Sequence, residues 1–509
     1  MSLLLALALQ AAALTGHDCQ ATIGPLYDGP DIASLPNQVD GSAVGGVEGL
    51  AALRASRGTA PIIVNGGNFG RADFRRARLA NICFVGSDLT GSDWRGVEAP
   101  GMAFVDSNLE GANLAGARLP RVLLRQPNLK NVDATGADLS GGKLDGGWDG
   151  SVENWRLDRA NLRGFRFDCS ITIGDGCPID GDLRWPGADL TGASLSSYFR
   201  YSRWAGARLD RTELSLAQLT QIDGANIQGP ILVRGGDTVV EISAADLRSL
   251  RPHIGEVHPE PQASFDCRNA RTIVERQICA PDSGNLRQLD SDLAERFRAA
   301  LAANRALASE QQAWLRERDR CGADDACLDS RYRERIDRLI ASMGPPNWAR
   351  PGTYALFVQP ELAFDEEIRA QPIYRRLLPV LIDGASARAV FRFNADGTID
   401  AAGDAVGANA HLCSLAAEGL RLERATGWYS ARPEDTAQTP ARLRGRPVPV
   451  VRLYGDRLEV YRSGHADFEE DPRPGDYASC GARAYFDEMV RVPVTAEEGR
   501  ILLDSLREQ

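Results

Sequence analysis

The 509-residue chain is nearly without lysine: Lys130 and Lys143 stand against 56 arginines. The bias reads as the base composition of a high-GC bacterial genome, and it narrows the chemistry. A phosphate-binding Gly-x-x-x-x-Gly-Lys-Ser/Thr loop needs a lysine followed by a hydroxyl residue, and these two are followed by Asn131 and Leu144. Histidine is scarce as well, at five residues, and no His-Glu-x-x-His pair occurs, so a zinc site has little to draw on. A Gly-x-Ser-x-Gly elbow and a dinucleotide-binding glycine pattern are absent too. Beyond the N-terminus no apolar run approaches membrane length. The formal charge of −11 has the wrong sign for nucleic acid or an anionic membrane and suits a cationic protein partner. No cofactor, metal or membrane anchor is expected. Carboxylates are plentiful, but none is singled out as catalytic.

What is present begins at the N-terminus. Residues Ser2–Leu14 (SLLLALALQAAAL) are apolar, too short to span a bilayer, and end in small residues. They read as a secretory signal (1–15) cleaved near Ala13–Thr15, which places the mature chain in the periplasm or outside the cell. Cys19 follows Gly-His-Asp, unlike a lipid-attachment site. Ten cysteines in an exported chain point to disulfides. Spacing groups Cys169 with Cys177, Cys413 with Cys480, and Cys267, Cys279, Cys321 and Cys327 among themselves. Cys19 and Cys83 are left to pair with each other.

Stepping in fives from Phe69 meets Phe74, Leu79, Phe84, Leu89, Trp94, Ala99, Phe104 and on to Leu144; fourteen of these sixteen residues are large and apolar. Two residues earlier the side chain is usually small (Ala72, Ser87, Ser92, Ala112). One residue earlier it is often Asp or Asn (Asp73, Asp88, Asn108, Asn113, Asp138). Neither the helical period nor the strand period gives this pattern. A period of five turns a corner with every unit, so four units close a square coil whose stacked neighbours pair backbone to backbone.

The units GADLS, GANLA and GADLT resemble those of pentapeptide-repeat proteins. The resemblance spans residues 64–232 and implies a right-handed quadrilateral β-helix. Register is lost at 168–186, read as a loop leaving the coil and stapled by Cys169–Cys177. Residues 16–63 form an N-terminal cap, with a helix near Val47–Ser56 closing the first coil. Some members of the family mimic duplex DNA and act on a topoisomerase. Residues 64–232 carry 19 basic and 20 acidic side chains, too balanced for such a mimic.

After a proline-rich linker (233–263) the period becomes helical. Leu286, Leu289, Leu293, Phe297 and Leu301 form one stripe, and Leu328, Tyr332, Ile336 and Leu339 another. A Ser309/Gln312 capping box is expected to open the helix that carries Trp314. Were Ala270–Ile278 helical, Cys267 and Cys279 would lie as much as ~18 Å apart and bridges to Cys321 and Cys327 would be preferred; a helix that starts late would allow local pairs. The phrases FDCRNARTIVERQIC, QQAWLRERDRCG and DACLDSRYRERI resemble the LprI-like lysozyme-inhibitor family over residues 264–343. That resemblance implies an exported, four-cysteine module and singles out Glu275, Asp290, Trp314, Arg318, Tyr332 and Arg335. A packed core with an ion pair is the favoured reading of Asp290, Trp314 and Arg318.

From Trp348 short apolar runs alternate with turns, so residues 348–509 read as a small α+β or β-barrel-like domain. Asn394-Ala-Asp396-Gly397 fits a turn better than a calcium loop. His411, and His465 in its acidic loop, lack metal-site spacing. The expected fold is thus multidomain: a β-solenoid, a disulfide-linked helical bundle and a β-rich domain. The expected function is an exported envelope interaction protein that binds or inhibits a lysozyme or other cell-wall hydrolase. The alternatives are a topoisomerase-directed DNA mimic or an enzyme acting on peptidoglycan through the C-terminal domain.

Overall fold

The computed structural model describes residues 19, 22, 38–146, 152–168, 185–195, 204–255, 262–359, 362–364, 366–407, 412–432, 447–461, 478–480, 486 and 489–507. The chain divides into two compact units. One comprises Met1–Gly255 with Phe364–Asp383, the other Glu256–Ala363 with Gly384–Gln509.

In the first unit, strands β1 (Gln38–Asp40), β2 (Ile62–Asn65), β3 (Ile82–Val85), β4 (Ala103–Val105), β5 (Leu123–Arg125), β6 (Lys143–Asp145), β7 (Arg166–Asp168), β8 (Ser194–Leu195), β9 (Glu213–Ser215) and β10 (Ile231–Gly235) stack in chain order. Cys83 faces Ala103, Ala103 faces Leu123 and Leu123 faces Lys143, each in parallel register one coil apart. All sixteen residues of the five-step, Phe69 to Leu144, are buried. The residue before each centre turns the corner. Asp88 Oδ1 accepts the amide of Thr90 at 3.0 Å, Asn108 that of Glu110 at 3.1 Å, and Asn113 that of Ala115 at 3.0 Å. Asp and Asn recur there because their short side chains close such turns onto their own backbone. Inside the coil the large residues stack as ladders, with Phe74 and Trp94 ring centroids 3.9 Å apart. Lys143 faces Arg166 and Arg166 faces Ser194, so these coils carry the extra residues that interrupt the period. The proposed Cys169–Cys177 staple lies outside the described residues.

Both ends of the stack are covered. Helix α1 (Gly46–Arg57) turns Arg54 onto the carbonyls of Ala60 and Ala80, at 2.6 and 2.7 Å. At the other end β10 pairs antiparallel with β11 (Thr238–Ile242), and helix α2 (Ala244–Leu250) follows, N-capped by Ser243. Much of the stretch read as linker is therefore folded, because Ile242, Leu247 and Leu250 have apolar surface to bury. A helix from far along the chain, Pro372–Asp383, packs on this hairpin. The Asp383 carboxylate accepts the amides of Asp237 and Thr238, both at 2.8 Å, and Arg376 donates to the Glu241 carbonyl at 2.8 Å. A Cβ on Gly235 would collide with the Val380 carbonyl. Gly235→Ala should therefore cost about 2 kcal/mol by pushing this helix off its seat, read as a lower midpoint for the solenoid unit in thermal unfolding.

The second unit joins four helices to a barrel. The helices are α3 (Ile273–Ile278), α4 (Gly284–Ala303), α5 (Leu307–Arg318) and α6 (Asp325–Met343). The strands are β12 (Tyr354–Gln359), β13 (Ala387–Phe393), β14 (Ile399–Val406), β15 (Leu412–Glu423), β16 (Trp428–Ala431), β17 (Val448–Tyr454), β18 (Arg457–Val460), β19 (Ala478–Cys480) and β20 (Val490–Val492). Their order is β14-β13-β12-β20-β18-β17-β16-β15-β19, and an added β14–β15 pairing closes the ring. Phe357, Phe391, Leu415, Leu420 and Val450 belong to its apolar core, as the interior of so small a barrel requires. Asp396 closes the β13–β14 turn by accepting the Thr398 amide at 3.0 Å. His411 and His465 lie outside the described residues.

Candidate functional site

The residues singled out in the helices do three different jobs. Asp290 on α4, Trp314 and Arg318 on α5, and Tyr332 on α6 come together in the core. The Tyr332 hydroxyl accepts from Arg318 Nη1 at 3.1 Å and donates to Asp290 Oδ1 at 2.7 Å. The other Asp290 oxygen accepts the Ser264 amide at 2.7 Å. Trp314 meets Tyr332 edge-on with centroids 5.3 Å apart, and the Arg318 guanidinium lies 5.7 Å from the centre of the indole. Asp290 and Arg318 are thus linked through a tyrosine rather than paired directly. All four residues are buried. Burial, and then the Asp290 carboxylate, push the Tyr332 hydroxyl well above the ordinary tyrosine range.

Glu275 opens α3: Thr272 Oγ1 accepts the Glu275 amide at 3.0 Å while the Glu275 carboxylate accepts the Thr272 amide at 2.9 Å. The Thr272 and Arg271 amides hold this carboxyl below its usual value. The expected capping box at Ser309 does not form. Helix α5 begins earlier, at Leu307, and the Ser309 hydroxyl donates instead to the Ala306 carbonyl. Arg335 ties α6 to α5 by donating to Gln311 Oε1 at 3.0 Å.

Capping also decides the disulfides. Because α3 starts only at Ile273, Cys267 stays close enough to bond Cys279, and Cys321 bonds Cys327 across the turn before α6. The cross-bundle pairing favoured by a longer helix is therefore not the one formed. Cys19 bonds Cys83. Strand register seats Cys413 of β15 opposite Cys480 of β19, and Cys413 is disulfide-bonded. Ile273, inside the Cys267–Cys279 loop, is 58% exposed.

The seam between helices and barrel rests on arginines that no motif flagged. Arg296 on α4 donates to the Tyr454 hydroxyl at 2.7 Å. Arg452 on β17 is 2% exposed; it donates to Asp337 at 2.8 Å and Glu459 at 2.6 Å, and its guanidinium lies 4.6 Å from the centre of the Trp428 ring. The available signal was the charge itself, an arginine inside the apolar strand VPVVRLY. A cleft of about 300 Å³ beside this seam is lined by Ile340, Met343, Pro345, Leu422, Arg424 and Leu453.

Among the described residues no group of His, Cys, Asp and Glu is arranged to hold a metal. Ser140 and Lys143 stand at the Ser-x-x-Lys spacing of a nucleophile pair. The Lys143 side chain, however, is committed to ion pairs with Asp145 at 3.4 Å and Asp168 at 3.2 Å on the solenoid surface. Among the described residues no helix is long and apolar enough to cross a membrane.

The family described as pentapeptide repeats matches in eight copies, over residues 63–91 and 104–144. No curated protein matches the sequence. Among solved structures, the chain is similar to QnrB1, a plasmid-mediated fluoroquinolone resistance protein, at 19% identity; the alignment covers 34% of this chain and 91% of that one, with a TM-score of 0.23. It is similar to HetL, a pentapeptide-repeat protein involved in heterocyst differentiation regulation in the cyanobacterium Nostoc, at 23% identity over 33% of this chain and 81% of that one, with a TM-score of 0.17. A pentapeptide-repeat protein of the Arabidopsis thaliana thylakoid lumen is 22% identical over 28% of this chain and 77% of that one, with a TM-score of 0.14. Residues 63–91 and 104–144 are pentapeptide repeats, and the coil they build is a pentapeptide-repeat β-solenoid.

Proposed function

We propose that the chain is an exported interaction protein of the bacterial envelope, in which the solenoid is a rigid scaffold and the disulfide-bonded second unit engages a lysozyme-like cell-wall hydrolase. The observation that carries this reading is the state of the cysteines: none among the described residues is free, and such bonds persist in oxidising compartments. The LprI-like phrases around Cys267–Cys327 supply the partner class. Solenoid charges of opposite sign pair in runs such as Arg125–Asp145–Lys143–Asp168–Arg166, which suits a scaffold better than a DNA mimic. The helical module carries 14 acidic and 14 basic residues. Attraction toward a cationic hydrolase therefore comes from the acidic surplus elsewhere in the chain, and contact from exposed apolar groups such as Ile273.

Mature protein mixed with a panel of lysozymes should suppress lysis of cell-wall substrate in a dose-dependent way, and Ile273→Glu should weaken this about tenfold, as loss of a central apolar contact does. No binding to any lysozyme at low salt would sink the lysozyme reading.

A further inference from the structure

The disulfides share a property that neither the solenoid nor the resemblance demands. Cys19 bonds Cys83, Cys267 bonds Cys279 and Cys321 bonds Cys327, with sequence separations of 64, 12 and 6. In each bond no other cysteine lies between the partners. The register that sets Cys413 opposite Cys480 fits the same rule, since no cysteine lies between them in sequence. Six cysteines can pair in roughly fifteen ways, and the one found is the pairing that order of emergence alone would give.

We propose that this chain matures with a thiol–disulfide oxidase as its partner and needs no disulfide isomerase. A chain threading into an oxidising compartment presents its N-terminal cysteine first. The Cys19 thiolate attacks the oxidase disulfide, forms a mixed disulfide and expels one oxidase thiolate. When Cys83 emerges, its thiolate attacks the Cys19 sulfur of that mixed disulfide. The chain's S–S bond forms, the mixed bond breaks, and the oxidase leaves as a dithiol carrying the two electrons and two protons. No cysteine lies between these two to compete for the mixed disulfide. The same steps then serve Cys267 with Cys279 and Cys321 with Cys327, whose short loops cost little entropy to close.

Burial explains why the order matters. Cys19 and Cys83 are both 0% exposed, packed with Ile63, Ala103, Val105 and Leu123. Once Cys19 has packed on this outward ladder, an isomerase has no sulfur to reach. The correct bond must therefore form before Cys19 is sealed onto the ladder, which first-come pairing ensures.

The proposal rests on the export reading only for where the oxidase is met, and the test separates the two. The full mature chain is fused to a standard bacterial export leader and produced in three hosts: wild type, one lacking periplasmic thiol oxidase, and one lacking periplasmic disulfide isomerase. Bonds are mapped by digestion and mass spectrometry. Without isomerase the yield of the 19–83, 267–279 and 321–327 bonds should stay within about twofold of wild type, and without oxidase it should fall at least about tenfold. Scrambled bonds or a tenfold loss in the isomerase-deficient host would overturn the proposal, as would full oxidation without oxidase. A native chain found reduced in its own cytoplasm would instead refute export, a result the leader-fused protein does not depend on.

Discussion

Replacing Tyr332 with Phe should destabilise the second unit by about 3 kcal/mol, although it removes a single oxygen. That oxygen is the link between two buried charges, accepting from Arg318 and donating to Asp290. With Phe the ring still fills the space against Trp314, so no large cavity opens. The cost arises because a guanidinium N–H and a carboxylate oxygen lose their partner in a site closed to water. At 2–4 °C per kcal/mol for a unit of this size, its unfolding midpoint should drop by about 9 °C. Alkali supplies a second readout. Unfolded tyrosine ionises near pH 10, whereas folded Tyr332 holds its proton well beyond that. Above about pH 10 the folded state therefore binds more protons than the unfolded one, and stability falls as pH rises. The Phe variant should lose Tyr332's share of that fall. A variant as stable as the parent, with the same alkaline slope, would show that Arg318 and Asp290 do not depend on the tyrosine.

The solenoid was legible because each five-residue unit repeats one local solution: a centre that fills the coil, and an Asp or Asn that turns the corner onto its own backbone. Phe69 through Leu144 could be assigned inward without knowing any long-range contact. The cover at the far end could not. The helix Pro372–Asp383 meets the β10–β11 hairpin across a long separation in sequence, and nothing in its own pattern says which surface its apolar stripe covers. The disulfides of the helical module were half legible. The cysteines were visible, but their partners depended on whether the first helix began at Ala270 or at Ile273. The Thr272–Glu275 capping box settled that; it is the very signal sought, and assigned wrongly, at Ser309. Arg452 shows the opposite limit, since a charge in an apolar strand announces that it has partners without naming Asp337 or Glu459.

Breaking the Cys19–Cys83 bond with Cys19→Ser should cost the first unit about 4 kcal/mol, more than either bond of the helical module. In the chain-entropy account the stabilisation grows with the loop that is closed. This bond closes a separation of 64, against 12 for Cys267–Cys279 and 6 for Cys321–Cys327, for which the same account gives about 3 and about 2 kcal/mol. The packing adds to the effect. Along most of the solenoid the outward strand positions are polar, as at Lys143 and Asp145, but Ile63, Cys83, Ala103 and Leu123 form an apolar ladder one coil apart. Cys19 sits in the cluster they form, and its amide donates to the Gly101 carbonyl at 3.0 Å. Freed from Cys83, the segment bearing Cys19 keeps that contact only at the cost of its own chain entropy, and the ladder becomes open to water whenever it lifts. Urea unfolding of Cys19→Ser should show a lower midpoint with a slightly steeper slope, because the unfolded chain has lost a cross-link and exposes more surface. Binding of a hydrophobic dye by the folded variant should rise as well. A loss below about 1 kcal/mol, with no gain in dye binding, would mean that the ladder holds the segment without the bond and that the cross-link contributes little to the folded solenoid.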